Sequence, residues 1–267
     1  MMNVIYPIIV FLVGLAVGSF LNVVILRLPR EESLFGRSHC MNCKRELSAI
    51  DLFPIFSFLF LKGKCRTCGT KISWRYAGIE LLTASLFLFA YLFYLPADLI
   101  GWLWFIKFAI FTSTLIAVFF IDLEHYLIFD SVLLWGGAGV VAINLGLDFA
   151  LKNQVLSLNN TFGGLLAALI ISAPLFCFWY FSKGKWMGFG DVKLALLLGL
   201  GLGFPNAILG WFLAFLIGSL WSVPMLVFGS KSLKSKLPFG TFLSVAALIT
   251  WFWGSSFLVW YLAILGL

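Results

Sequence analysis

Apolar residues fall along this chain in blocks of about 20, each closed by a short polar stretch, with neither strand-like alternation nor the one-sided stripe of a soluble helix. A block of that length spans a hydrocarbon core of roughly 30 Å when helical. The pattern predicts helices over 4–26, 77–95, 101–121, 131–147, 161–181, 192–203, 206–228 and 239–265. The block at 192–203 is too short to cross alone, about 18 Å, and is expected to be a half-helix buried among its neighbours. The fold class that follows is an all-α polytopic membrane protein of about eight transmembrane helices. Its parts are a first helix (1–26), a polar loop (27–76) and a membrane-embedded core (77–267), without a soluble second domain, long linker or clear internal repeat.

Composition agrees: 62% of residues are hydrophobic and 11% charged, against about 25% charged in soluble domains. The net charge of +7 is therefore read for topology and not as a nucleic-acid footprint. Arg27, Arg30, Arg37, Lys44, Arg45, Lys62, Lys64, Arg66 and Lys71 crowd the loop after the first block. Cytoplasmic loops carry such an excess, which places this loop inside and the N-terminus outside. Alternation then puts 122–130, 182–191 and the basic run 231–236 inside, and the sparsely charged loops around Asp98, Lys152 and Phe204 outside. The first block lacks a basic lead-in and a small-residue cleavage site, and reads as a retained helix.

Two C-x-x-C pairs, Cys40/Cys43 and Cys65/Cys68, sit in the basic loop. Two thiolate pairs on short knuckles can close a tetrahedron around Zn²⁺, and four cysteine ligands leave no open position, so the metal expected is structural. Disulfides are the alternative, disfavoured in a reducing cytoplasm. Met41, Asn42 and Gly69 suit knuckle turns, and His39 is a minor alternative ligand. Cys177, alone in an apolar block, reads as a small core residue.

Among the acids, Asp98 and Asp148 read as helix-end residues, and Glu80 as a partner for Arg75. Asp122 and Asp191 stand apart, because each lies at the predicted cytoplasmic end of a membrane helix, where an ionisable residue is functional by default. Gly188 and Gly190 precede Asp191 and remove the Cβ atoms that would keep a substrate strand away. Burial and a second carboxylate both oppose ionisation, so such a pair can share one proton, activate water and protonate a leaving amine as one titrating unit. Residue chemistry leaves a second reading open, in which both acids are caps or topology anchors partnered by Lys193 or His125. Gly14 and Gly18, and Gly199, Gly201 and Gly203, read as close helix packing. No H-E-x-x-H, P-loop or Ser/His/Asp order is present. A transporter would place its acids near the bilayer midplane, and an assembly scaffold would need neither.

Taken together, GSFLNVVILRLPR (18–30), the paired C-x-x-C loop, IDLEHYLIFD (121–130), MGFGDVKL (187–194) and LPFGTFLS (237–244) resemble the bacterial type IV prepilin peptidase family. The resemblance spans nearly the whole chain and implies a G-x-G-D intramembrane aspartyl protease of the bacterial cytoplasmic membrane. Its catalytic aspartates would be Asp122 and Asp191, facing the cytoplasm. The implied substrates are prepilins or pseudopilins, cut after a glycine between basic leader and hydrophobic stem. The new N-terminal residue is then methylated from S-adenosylmethionine, with the zinc loop as a candidate platform. Two positions depart from the family pattern: Phe129 and Thr241 stand where Pro is usual, and no role for the 237–244 stretch follows from the residues.

Overall fold

A computed structural model describes residues 5–151, 161–227 and 236–266. Its elements are α1 (Ile5–Arg27), α2 (Phe56–Phe60), α3 (Trp74–Tyr94), α4 (Leu99–His125), α5 (Asp130–Ala150), α6 (Thr161–Ser182), α7 (Phe189–Leu202), α8 (Asn206–Val227) and α9 (Phe239–Leu265). Among the described residues the only β pairing is two isolated bridges. All of these helices except α2 and α7 are long and apolar enough to cross a membrane, seven in number. The protein is a multi-pass membrane protein, and every expected block is a helix. Two boundaries shift where the chemistry lies. Asp122 sits inside the last turns of α4, and Asp191 inside the first turn of α7. The loop expected around Lys152, and all but the end of the basic run at 231–236, fall outside the described residues.

The chain forms two compact units, Met1–Phe105 and Ile106–Leu267. In the first, α1 packs along α3. Gly14 and Gly18 make this possible as expected: a Cβ on either would lie 2.6 Å from an α3 backbone atom, at Ala84 and Glu80. Ser73 caps α3 by accepting the Arg75 N–H at 3.3 Å.

In the second unit α7 is the centre. It packs against α5, α6, α8 and α9, and most of its side chains, including Val192, Leu194, Leu197 and Leu198, are buried. Its 14 residues extend only about 21 Å, and a helix that short is stable at membrane depth because protein surrounds it. Gly199 sets its contact with α6: a Cβ there would fall 2.2 Å from Ala168 Cα.

Lys107 of α4 is fully buried. Its ammonium lies 5.7 Å from the Trp251 ring centroid and interacts with the charge of Asp148. Asp98 accepts the Gly101 N–H at 2.8 Å at the start of α4, whereas Asp148 is buried in the last turn of α5. Cys177, expected in the core, is exposed on α6. The face α6 buries runs through Gly164, Ala168, Ile171 and Leu175, and Cys177 points elsewhere, where lipid imposes no cost on a weakly polar thiol.

Because backbone stands opposite Gly199, Gly199→Ala should force α6 and α7 apart and cost about 1–3 kcal/mol. Thermal unfolding in detergent should show a lowered midpoint with unchanged helix content.

Candidate active site and metal centre

The two singled-out carboxylates belong to the second unit, and both are buried. Asp122 is carried by α4, which ends one turn later: Tyr126 donates its N–H to the Asp122 carbonyl at 2.9 Å and turns left-handed at φ 57°. Asp191 is carried by α7, whose N-cap is Gly188. The two carboxylates are close enough for their charges to interact. Between the elements that carry them lies Ile128, in the short connection from α4 to α5. A Cβ on Gly190 would fall 2.8 Å from Ile128 Cβ, and one on Gly240 would fall 2.9 Å from Ile128 Cδ1 and 3.0 Å from Asp122 Oδ2. Glycine is required at both positions for this close approach. At Gly188 the nearest atom a Cβ would meet, apart from backbone at 4.0 Å, is Asp191 Oδ2 at 3.5 Å.

Thr241, in the first turn of α9, holds Asp122 directly. Its backbone N–H donates to Oδ2 at 2.8 Å and its hydroxyl to the same oxygen at 3.2 Å, and the Gly240 backbone N–H also hydrogen-bonds the carboxylate. The residues alone showed no role for this stretch. The signal was there in outline, a glycine followed by a hydroxyl residue opening an apolar block, but nothing local says which acid it serves.

Neither expected anchor partners the two acids. Lys193 donates to both oxygens of Asp130 at 2.7 Å, and His125 lies 3.8 Å from the Glu124 carboxylate. Phe129 stands at the N-cap of α5, and Asp130, in the first helical turn, is paired with Lys193.

The four loop cysteines belong to the first unit, carry free thiols and bring their Sγ atoms within 4.8 Å of one another. Cys40 and Cys68 are 3.8 Å apart and Cys43 and Cys65 4.0 Å. A tetrahedron with Zn–S of about 2.3 Å has edges of about 3.8 Å, so the donor set fits zinc. The knuckles are built alike: Cys40 and Cys65 each accept the N–H of the residue four positions on, Lys44 and Gly69, and donate to the carbonyl five on, Arg45 and Thr70. Lys44 and Gly69 are both left-handed, at φ 59° and 68°. His39 lies in an isolated backbone β-bridge with Glu46 and is not among the four clustered ligand residues.

Cross-links join the knuckles. Asn42 donates to Thr70 Oγ1 at 2.8 Å, and Thr70 Oγ1 lies 3.3 Å from Cys68 Sγ. Hydrogen bonding by Thr70, through side chain and backbone, holds the Cys68 thiol down to about 5. Asp51 receives Arg45 from one knuckle at 3.3 Å and Arg66 from the other at 2.7 Å, together with the Ser48 hydroxyl at 2.8 Å. Burial opposes its ionisation, but the Ser48 and Arg66 contacts outweigh this and hold the carboxyl below its usual range. The loop stability Asp51 contributes is therefore present above the ordinary carboxylate value of about 3.9 and is lost as pH falls through its lower folded value.

Residues 12–94 match the bacterial peptidase A24 N-terminal domain, and residues 109–223 match the type IV leader peptidase family. The chain is 32% identical over 284 residues to a prepilin leader peptidase/N-methyltransferase of Aeromonas salmonicida (strain A449), covering 95% of this chain and 93% of that protein. It is 34% identical over 292 residues to the protein of that name from Dichelobacter nodosus, covering 93% of each, and 31% identical over 257 residues to that of Bacillus subtilis (strain 168), covering 95% and 97%. No solved structure matches it. The chain belongs to the type IV leader peptidase family. Asp122 and Asp191 fall within the second matched segment and the four cysteines within the first, while Thr241 lies beyond both.

Since both knuckles are needed to close the tetrahedron, Cys68→Ser should lose bound zinc, and Asp51→Asn should weaken retention by removing the charge shared by Arg45 and Arg66. In the wild type, zinc should be released on acidification as protons compete for the thiolates. Metal content per chain after dialysis across a pH series reads all three.

Proposed function

We propose that this protein cleaves the basic leader from prepilins or pseudopilins and N-methylates the new N-terminus from S-adenosylmethionine, with Asp122 and Asp191 as the catalytic pair. The observation that supports it most directly is the pair itself: two buried carboxylates from α4 and α7, within electrostatic reach, in a chain of this family. A single proton is shared between them. The ionised member deprotonates a water, which attacks the carbonyl of the glycine before the scissile bond. The protonated member polarises that carbonyl and then supplies a proton to the leaving amine. The pair titrates as a unit, so the two roles belong to the dyad.

Around it, Gly188 serves the approach of the substrate strand by leaving the side of Asp191 open, while the space expected beside Gly190 is taken by Ile128. Thr241 is a positioning residue that fixes Asp122 through Oδ2. The domain roles follow the earlier division: a first helix, a cytoplasmic loop at 27–76 folded around structural zinc on Cys40, Cys43, Cys65 and Cys68, and a peptidase core beyond it. The reading places the N-terminus outside the bacterial cytoplasmic membrane and the active site at its inner face, where a basic leader meets an apolar stem.

Asp122→Asn and Asp191→Asn keep size and polarity but cannot exchange the proton, and each should lower cleavage of a purified prepilin by at least about 10³-fold. Mass spectrometry of the wild-type product should show a stem lighter by the leader and heavier by one methyl group. Normal cleavage by either variant would end the aspartyl reading in favour of a scaffold. A hydrogen bond to a charged group contributes about 1.5–3 kcal/mol. Thr241→Val should accordingly lower kcat about 10- to 100-fold with KM unchanged, and Thr241→Ser should retain wild-type kcat.

A further inference from the structure

Within the first unit, α1, α3 and the metal-binding loop enclose a cavity of about 520 Å³, in the range that holds a cofactor-sized ligand. Most of its wall is apolar, including Leu26, Phe58 and Ile72. Three polar side chains of the wall are more than nine-tenths buried: Asn22 and Arg27 of α1, 5% and 7% exposed, and Glu80 of α3, 8% exposed. Arg27 spends its guanidinium on the carbonyls of Ser33, Phe35 and Arg37. Asn22 spends its amide on the Tyr76 carbonyl at 2.9 Å, and its Oδ1 is buried without a hydrogen bond. Glu80 accepts the Ile55 N–H at 2.7 Å through Oε2, and a carboxylate retains further acceptor capacity. A buried acceptor without a donor costs about 1–3 kcal/mol, and a buried carboxylate favours a cation beside it. The cavity therefore suits a cofactor-sized molecule that sets positive charge against Glu80, an N–H donor against Asn22 Oδ1 and apolar atoms against Leu26, Phe58 and Ile72.

We propose that this cavity binds S-adenosylmethionine. The inference rests on the methyltransferase half of the proposed function and adds where the donor sits. Of the three acids in the wall, Asp51 is paired with Arg45 and Arg66 and Glu32 is exposed. The buried carboxylate of Glu80 is therefore the one that suits the sulfonium, which has charge but no N–H to satisfy. The exocyclic amine of adenine supplies the donor that Asn22 Oδ1 lacks. The exposed Lys71, also in the lining, provides a cation for the ligand's carboxylate. In the transfer itself, the neutral N-terminal amine of the cleaved stem attacks the methyl carbon. The N–C bond forms as the C–S bond breaks, the sulfonium becomes a neutral thioether, and the positive charge passes to the new secondary ammonium. Cys40 and Cys65 belong to the same wall, so loss of zinc removes part of the site.

The test uses the purified full chain in detergent with zinc bound. Irradiation with methyl-tritiated S-adenosylmethionine should label peptides within 19–27 or 72–80, and S-adenosylhomocysteine should protect them. By equilibrium dialysis, Asn22→Leu and Glu80→Gln should each weaken donor binding at least tenfold at unchanged zinc content, and zinc removal should do the same. Label confined to Ile106–Leu267, or wild-type affinity in both variants, overturns the assignment even if the enzyme methylates its product. A wild type that neither binds the donor nor adds a methyl group instead overturns the methyltransferase reading. Should a variant fail to fold, the mapped label in the wild type decides alone.

Discussion

A carboxylate near membrane depth must be surrounded by protein, and the second unit is built to meet that demand for Asp191. Its helix α7 is too short to span, and α5, α6, α8 and α9 cover it. Coverage on that scale requires backbones to approach closely, which explains small residues at the contacts, Gly199 against Ala168 above all. The same tightness recurs at the end that carries the two acids. Gly190 and Gly240 both give way to Ile128, so the α4–α5 connection is held between the helix bearing Asp191 and the helix whose Thr241 binds Asp122. The spacing of the two acids is thus a packing property of α4, α7 and α9 together.

The first unit solves a different problem. A loop of some fifty residues with few buried apolar side chains has little core to stabilise it, and here ion pairs and thiol geometry take that part. The two knuckles repeat one hydrogen-bond scheme, and Asp51 joins them by receiving an arginine from each. Loop and membrane helices are continuous, because Glu80 of α3 accepts a loop N–H at Ile55.

Most of this architecture was legible in the sequence because lipid simplifies the code. A run of about 20 apolar residues has few alternatives to a spanning helix, and paired C-x-x-C spacing has few alternatives to a metal knuckle. Asp122 and Asp191 stood out because charge is rare in such runs. What stayed hidden depends on contacts between distant segments. Thr241 reaches Asp122 across 119 positions, and Lys193 chooses Asp130 across 63; no local pattern encodes either choice. The likeness of the two knuckles also escaped notice, since Lys44 and Gly69 share a left-handed conformation but not a residue type. Lys107 was overlooked although a lysine inside an apolar block is itself a signal. Cys177 was misplaced because a uniformly apolar helix does not show which face is covered.

One of the two donors that Thr241 offers Asp122 is a backbone N–H. Side-chain replacement at position 241 leaves that donor in place for every residue except proline, which has none. The grip on Asp122 is therefore divided between a part that sequence drift can alter, the hydroxyl, and a part written into the path of the chain. A proline at this position would remove both Thr241 donors and leave the Gly240 backbone N–H to hold the carboxylate. Two enzymes can thus share the acid pair and differ in what keeps it aligned.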